Sequence, residues 1–169
     1  MVALIGSHGV GKSTLLNAMK KVVGNEYYIT DGFGRPLKEI KDELNLTPRE
    51  IQIIMNTITK HRWENDVVSD KLVCTRSIVD EWVYAKLFGL DDMLEDRIEI
   101  FKNSNYTKTK WFYIPIEFPL EEDGVRYAGT KLQKECDELM REWIKMFNLD
   151  VITLTGTIEQ RLQTLLKHL

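Results

Sequence analysis

The sequence predicts an α/β fold, a parallel sheet covered by helices, and three observations carry that expectation. Apolar runs of strand length alternate along the chain with longer stretches of helical period. The apolar runs are short, as buried central strands of a parallel sheet are. The 169 residues, 43% hydrophobic and 29% charged, suffice for one full core and are few for two, so a single domain over residues 1–169 is expected.

Taken in order, Val2 to Ile5 reads as the first strand, and a glycine-rich turn leads from it into a helix over residues 12–23. Tyr27 to Thr30 is the second strand, followed by a polar connection from Asp31 to Leu46 that holds Gly32, Gly34 and Pro36. A helix is expected over 47–69. Thr47, Pro48 and Glu50 stand at its N-cap, N1 and N3 positions, and Ile51, Ile54, Met55 and Ile58 form an apolar stripe opposite a partly polar face with Lys60 and His61. Lys71 to Cys74 is the third strand, with helices over 77–89 and 91–103 behind it. Trp111 to Ile116 is the fourth strand and Asp150 to Leu154 the fifth. They are separated by a loop with Pro119, Gly124 and Gly129 and a helix over 129–147, and a last helix covers 157–168.

No apolar run approaches the roughly 18–20 residues that span a bilayer, and no signal peptide precedes the first strand, so a cytoplasmic protein without a membrane partner is expected. Cys74 and Cys136 have no neighbouring ligand residues for a metal cluster and read as buried thiols. The formal net charge of −3 gives no general attraction to nucleic acid, although a local basic groove is compatible with it.

The chemistry starts at Gly6-Ser7-His8-Gly9-Val10-Gly11-Lys12-Ser13, which matches G-x-x-x-x-G-K-[ST] at every specified position. Glycines let successive N–H groups face inward as an anion cradle, and the helix that follows adds its positive end. Lys12 would reach the β and γ phosphates of ATP and Ser13 would place its hydroxyl on Mg²⁺. Gly6, His8, Gly9, Val10, Gly11, Lys12, Ser13 and Thr14 are the donor-binding candidates. His8 occupies a variable position of the motif.

Three further stretches bear on the acceptor. Asp31 follows the second strand, so it should emerge beside the glycine loop, where a carboxylate can take a proton from a hydroxyl or join Ser13 at the metal; Arg35 could steady the acceptor. Thr75, Arg76 and Ser77 end the third strand. Arg76 is a candidate phosphate or acceptor clamp, or else a local partner of Asp80 while Ser77 caps the helix. Arg126 sits on the 117–129 loop, where an arginine can close over a transferring phosphoryl group; the run Glu121, Glu122, Asp123 beside it reads as a solvated turn.

GSHGVGKST together with TRSIVDEWVYAKLFG resembles the nucleoside and nucleotide kinase branch of P-loop proteins, in which a strand-end D/E-R-[SYH] motif precedes a helix with a D-x-x-x-Y pattern. The similarity runs over residues 1 to about 161. Within it, FPLEEDGVRYAGTKLQKECDELMREW and VITLTGTIEQR resemble small bacteriophage P-loop kinases, of the deoxynucleoside monophosphate kinase or 5-hydroxymethyluracil DNA kinase type. The resemblance implies a three-layer fold with a five-stranded parallel sheet of order 2-3-1-4-5. It also implies an acceptor-side segment at about 31–70, Arg76 on the acceptor side, a lid at about 117–130 carrying Arg126, and GTIEQR near the adenine. Thr75 stands where the family often has an acidic residue, which moves the burden of a base onto Asp31; the D-x-x-x-R of Asp31 and Arg35 is similar to polynucleotide 5'-kinases.

An ionised phosphate acceptor needs arginines and no base, whereas a hydroxyl gains from a positioned carboxylate. The reading is therefore an ATP- and Mg²⁺-dependent kinase acting on a hydroxyl of a nucleoside or modified pyrimidine, including 5-hydroxymethyluracil in phage DNA. In DNA the base would have to leave the stack, with Lys60, His61, Arg62, Lys108 and Lys110 meeting backbone phosphates. The alternatives are a deoxynucleoside monophosphate kinase and a nucleotide-binding switch or ATPase.

Overall fold

The computed structural model of the chain describes residues 1–32, 43–66, 71–104, 106–118 and 130–169; for Pro48, Arg62 and residues 64–66 only the backbone is described. Five strands, β1 (Val2–Ile5), β2 (Tyr28–Thr30), β3 (Leu72–Cys74), β4 (Lys110–Tyr113) and β5 (Val151–Thr153), form one sheet in the order β2-β3-β1-β4-β5. All four pairings are parallel. Val2 faces Val73 and Lys110 across the ladder, and Tyr113 faces Thr153, so the five strands begin and end nearly together. Every strand therefore delivers its following loop to one and the same edge of the sheet.

The helices whose bounds lie among the described residues are α1 (Lys12–Val23), α2 (Pro48–Asp66), α3 (Ile78–Leu87), α4 (Leu94–Asn103), α5 (Thr130–Met146) and α6 (Ile158–Lys167). Side-chain alternation on β1 divides the core in two. Val2 and Leu4 join Val73, Phe112 and Ile114 against Leu15, Leu16 and Met19 of α1 and Leu165 of α6. Ala3 and Ile5 face the other way, onto a core with Trp63 of α2, Trp82 of α3, Phe101 of α4 and Trp143 of α5. The sheet is thus the middle of three layers. Its second face is filled by aromatic rings in tilted and edge contacts, Trp82–Trp143 at 4.9 Å and Phe101–Trp143 at 5.1 Å between centroids.

Several boundaries differ from the sequence reading. The fourth strand stops at Tyr113 rather than Ile116, because Ile114 N makes the last bond to Ile5 O and Pro115 has no N–H to continue the ladder. The stretch 91–103 is a 3₁₀ turn, Asp91–Met93, followed by α4. α2 starts as expected, with Thr47 N and Oγ1 donating to Glu50 Oε2 at 2.8 and 2.7 Å, hydrogen bonds that hold the Glu50 carboxyl below its ordinary value. Its buried face is different. Gln52, Met55, Asn56, Thr59 and Trp63 are buried, whereas Ile51, Ile54 and Ile58 are only partly covered and Ile53 is exposed. Three polar side chains therefore face inward, where the isoleucine stripe alone would have put the core. Residues 67–69 of the expected helix lie outside the described residues.

Candidate active site

The loop after β1 has the geometry that its glycines permit. Gly6, Gly9 and Gly11 have φ of 149°, 78° and 91°, values that side chains disfavour. Lys12 Nζ donates to Gly6 O (2.5 Å) and Ser7 O (2.8 Å), so the ammonium lies along the loop. The N-terminus of α1 has glycine as N-cap, no side-chain cap and no acidic residue in its first turn. Its N–H groups are thus presented to an anion rather than to the protein's own side chains. Ser13 and Thr14 stand in that first turn, Ser13 partly exposed and Thr14 exposed.

β3 and β2 bring the acceptor-side candidates to the same edge. Thr75 Oγ1 donates to Asp31 Oδ1, which also accepts from Gly32 N at 2.8 Å. Thr75 thus offers a hydroxyl to a neighbouring strand's carboxylate in place of a carboxylate of its own. Asp31 is exposed. Arg76 lies next to it: a Cβ placed on Gly32 would meet Arg76 Cβ at 3.8 Å.

Arg76 pairs with Glu81, not Asp80. Its Nε lies 2.5 Å from Glu81 Oε1, with 14% and 0% of the two side chains exposed. Glu81 Oε1 also accepts from Thr59 Oγ1 of α2 at 2.8 Å. Asp80 is occupied elsewhere, its Oδ2 accepting from Ser77 N (2.8 Å) and Oγ (2.9 Å) in the capping box that starts α3. Burial works against the charge on Arg76, but Glu81 and then Asp80 hold its pKa above the ordinary value. The guanidinium also lies 4.7 Å over the Tyr84 ring, and Tyr84 Oη is 3.3 Å from His8 Nδ1. His8 O accepts from Gln133 Nε2 at 2.9 Å. His8 is thus where the glycine loop meets the Arg76 side. Burial pushes the Tyr84 phenol well up and the Cys136 thiol beside it up to about 11.

The inward face of α2 adds residues that the sequence reading did not single out. Among the described residues, Gln52 Oε1 and Asn56 Oδ1 are buried without a hydrogen-bond partner, and Asn56 Nδ2 lies 3.4 Å from the sulfur of Met93. On the donor side, Arg161 of α6 is 1% exposed and donates to Val10 O (2.7 Å) and Glu117 Oε2 (2.6 Å), which also accepts from Gly156 N (2.8 Å). The last strand-to-helix turn is thereby tied to the glycine loop. Thr157 and Gln160 form the capping box that opens α6.

Arg35, Arg126 and the acidic run 121–123 lie outside the described residues. The basic positions proposed for DNA stand on two elements, Lys60, His61 and Arg62 in the second half of α2 and Lys108 and Lys110 around the start of β4. Lys108 and Lys110 lie at the start of β4, the sheet edge opposite the glycine loop, and Lys110 Nζ donates to His168 O (2.7 Å) and Leu169 O (2.6 Å). Lys60 pairs with Asp96 at 3.1 Å. Among the described residues, no group of three or more His, Cys, Asp or Glu could hold a metal alone, and no helix is long and apolar enough to cross a membrane. Cys74 and Cys136 are buried thiols, as expected.

A family model described as an AAA domain matches residues 1–161. The chain belongs to the AAA domain family. No curated protein matches it in sequence. Among solved structures, this AAA domain is similar to deoxyadenosine kinase from M. mycoides (TM-score 0.67, 14% identity, 99% of this chain and 97% of that one). It is also similar to YorR protein from Bacillus subtilis in complex with phosphorylated GDP (TM-score 0.62, 17% identity, 99% and 94%). The NadR protein in complex with NR shares the fold at a TM-score of 0.73 and 16% identity, and there 98% of this chain spans 50% of the other. The AAA domain therefore has the P-loop kinase fold, with the strand order 2-3-1-4-5 that the resemblance implied.

Proposed function

We propose that this protein is an ATP-dependent kinase that transfers the γ-phosphoryl group to a hydroxyl of a nucleoside, modified pyrimidine nucleosides included. One observation carries the reading. Because β2, β3 and β1 lie side by side and parallel, the exposed Asp31 carboxylate, Arg76 and the glycine loop leave one sheet edge, with Asp31 fixed by the Thr75 hydroxyl. Asp80 and Glu81 are buried and committed to Ser77 and Arg76, whereas Asp31, at the end of β2, keeps solvent access.

The uncapped first turn of α1 fits a triphosphate, with Lys12 on the β and γ phosphates and Ser13 at a metal. Mg²⁺ bound between Ser13 and the phosphates would neutralise charge on the transferring group. Asp31 accepts the acceptor's proton as its oxygen bonds to the γ phosphorus and the bond to the β-phosphate oxygen breaks, releasing ADP. The unpartnered carboxamides of Gln52 and Asn56 support a nucleoside, since each offers a buried acceptor to a base edge. The placement of Lys108 and Lys110 favours a small acceptor over DNA. Arg35 and Arg126 complete the proposed set, the first at the acceptor and the second at the phosphoryl group.

The test is incubation with labelled ATP and a panel of nucleosides, nucleoside monophosphates and hydroxymethyluracil DNA. Nucleosides should become labelled, Lys12→Ala should abolish transfer, and Asp31→Asn should lower turnover by about 10² or more. Labelling confined to monophosphates, with Asp31→Asn near wild type, replaces this reading with a monophosphate kinase. Phosphate release without any labelled acceptor replaces it with an ATPase or nucleotide switch.

A further inference from the structure

We infer that Glu81 is a positioning residue for Arg76, its buried carboxylate fixing the direction in which the guanidinium meets the acceptor. The inference rests on the kinase reading above.

Arg76 is constrained on two sides. Its Nε is held by Glu81 Oε1 at 2.5 Å, and its guanidinium plane lies 4.7 Å over Tyr84. Nη2 is buried and has no hydrogen-bond partner among the described residues. A donor that is desolvated and unpaired costs stability unless a ligand oxygen completes it, so the geometry reserves Nη2 for one. Glu81 sets where that donor points. Its side chain is fully buried, so water does not compete for Oε1, and Thr59 Oγ1 donates to the same oxygen from α2, the helix that carries Gln52 and Asn56. Through Tyr84 the other side of the guanidinium is referred to His8 in the glycine loop. The angle of Arg76 is thus referenced both to the donor loop and to the helix proposed to face the acceptor base. Stability alone does not account for the arrangement, because buried ion pairs are often replaceable by apolar residues without loss. A fixed orientation of the remaining N–H groups does account for it.

The experiment combines a double-mutant cycle with NMR of the arginine Nε–H groups. In wild type the Arg76 Nε–H should give a slowly exchanging signal that Arg76→Gln removes, and Glu81→Gln should shift it and speed its exchange. Glu81→Gln should lower kcat about 10-fold or more with the KM for ATP unchanged, and in an Arg76→Gln background it should lower kcat by less than about 3-fold, because residues acting through one another are not additive. Equal losses in both backgrounds, or an unchanged Nε–H signal in Glu81→Gln, would overturn the inference. The Arg76→Gln/Glu81→Gln protein removes both charges and controls for a single variant that fails to fold. Thr59→Val then supplies a smaller loss in the same direction, and wild-type kcat in Thr59→Val would again overturn it. If the wild-type protein labels no acceptor, the kinase reading falls, and the exchange of the Nε–H still decides whether Glu81 holds Arg76.

Discussion

Gly6→Ala tests whether the loop depends on close approach of β1 to the segment leaving β4. Gly6 has φ +149°, and a Cβ there would lie 2.5 Å from Ile114 O and 3.2 Å from Val10 Cγ2. Ile114 has little room to retreat, since its own N–H, in the preceding peptide unit, is bonded to Ile5 O at 2.9 Å. Backbone strain at such an angle costs about 1–3 kcal/mol and overpacking a further ~1–3 kcal/mol, together about 2–6 kcal/mol. For a chain of this length that lowers Tm by roughly 4–24 °C. Gly24→Ala is the control. Gly24 also has positive φ, +55°, with ψ −125°, but nothing within 4 Å of its added Cβ, so it should lose only the strain of its backbone angles, about 1–3 kcal/mol and roughly 2–12 °C. Thermal and urea melts followed by circular dichroism compare the two, and titration with a non-hydrolysable ATP analogue measures whether Gly6→Ala weakens donor binding. A Gly6→Ala protein as stable as Gly24→Ala, binding the analogue as wild type does, refutes the steric argument.

Two further outcomes are expected. Arg161→Met should destabilise by about 2–3 kcal/mol, less than the ~3–5 kcal/mol of a fully buried pair because Glu117 keeps 28% exposure, and Glu117→Gln in the same chain should restore part of it in urea melts. Cys136, pushed up to about 11 by burial, should react with a disulfide reagent at pH 8 only on unfolding. Because its folded value lies above that of an unfolded cysteine, near 8.5, its contribution to stability is complete below about pH 8.5 and is lost as pH rises through about 11. Urea midpoints between pH 8 and pH 11 should therefore fall, and native protein labelled at the unfolded rate would contradict the burial of both thiols.

The fold was legible because its signals are local. Alternation of strand-length and helix-length stretches, and the cap at Thr47 and Glu50, lie within a few residues of one another, and parallel pairing follows from the helices that connect the strands, whereas the order 2-3-1-4-5 was implied by the family resemblance. What was not legible is which side of α2 faces inward. Its isoleucines advertise a core stripe at 51, 54 and 58, but the buried positions hold Gln52, Asn56 and Thr59. A polar residue that faces a site reads from sequence like one that faces water, so a helix bordering a polar pocket hides its own orientation.

The same division runs through the site. The glycine loop was readable because its working positions are contiguous, whereas the contacts that tie it to the rest span 76 residues from Tyr84 to His8 and 151 from Arg161 to Val10. Asp80 and Glu81 show most clearly why spacing is not enough. Both follow Arg76 by about one helical turn, and the sequence offered Asp80 as a partner should Arg76 be held locally. Once Ser77 caps α3, Asp80 falls at the third helical position, where its carboxylate completes the capping box. Glu81, one residue on, turns inward to Arg76 and Thr59. With both carboxylates of α3 so committed, the Thr75 hydroxyl meets the Asp31 carboxylate from β2, and the parallel pairing of β2 with β3 puts Asp31 at the sheet edge where the glycine loop emerges.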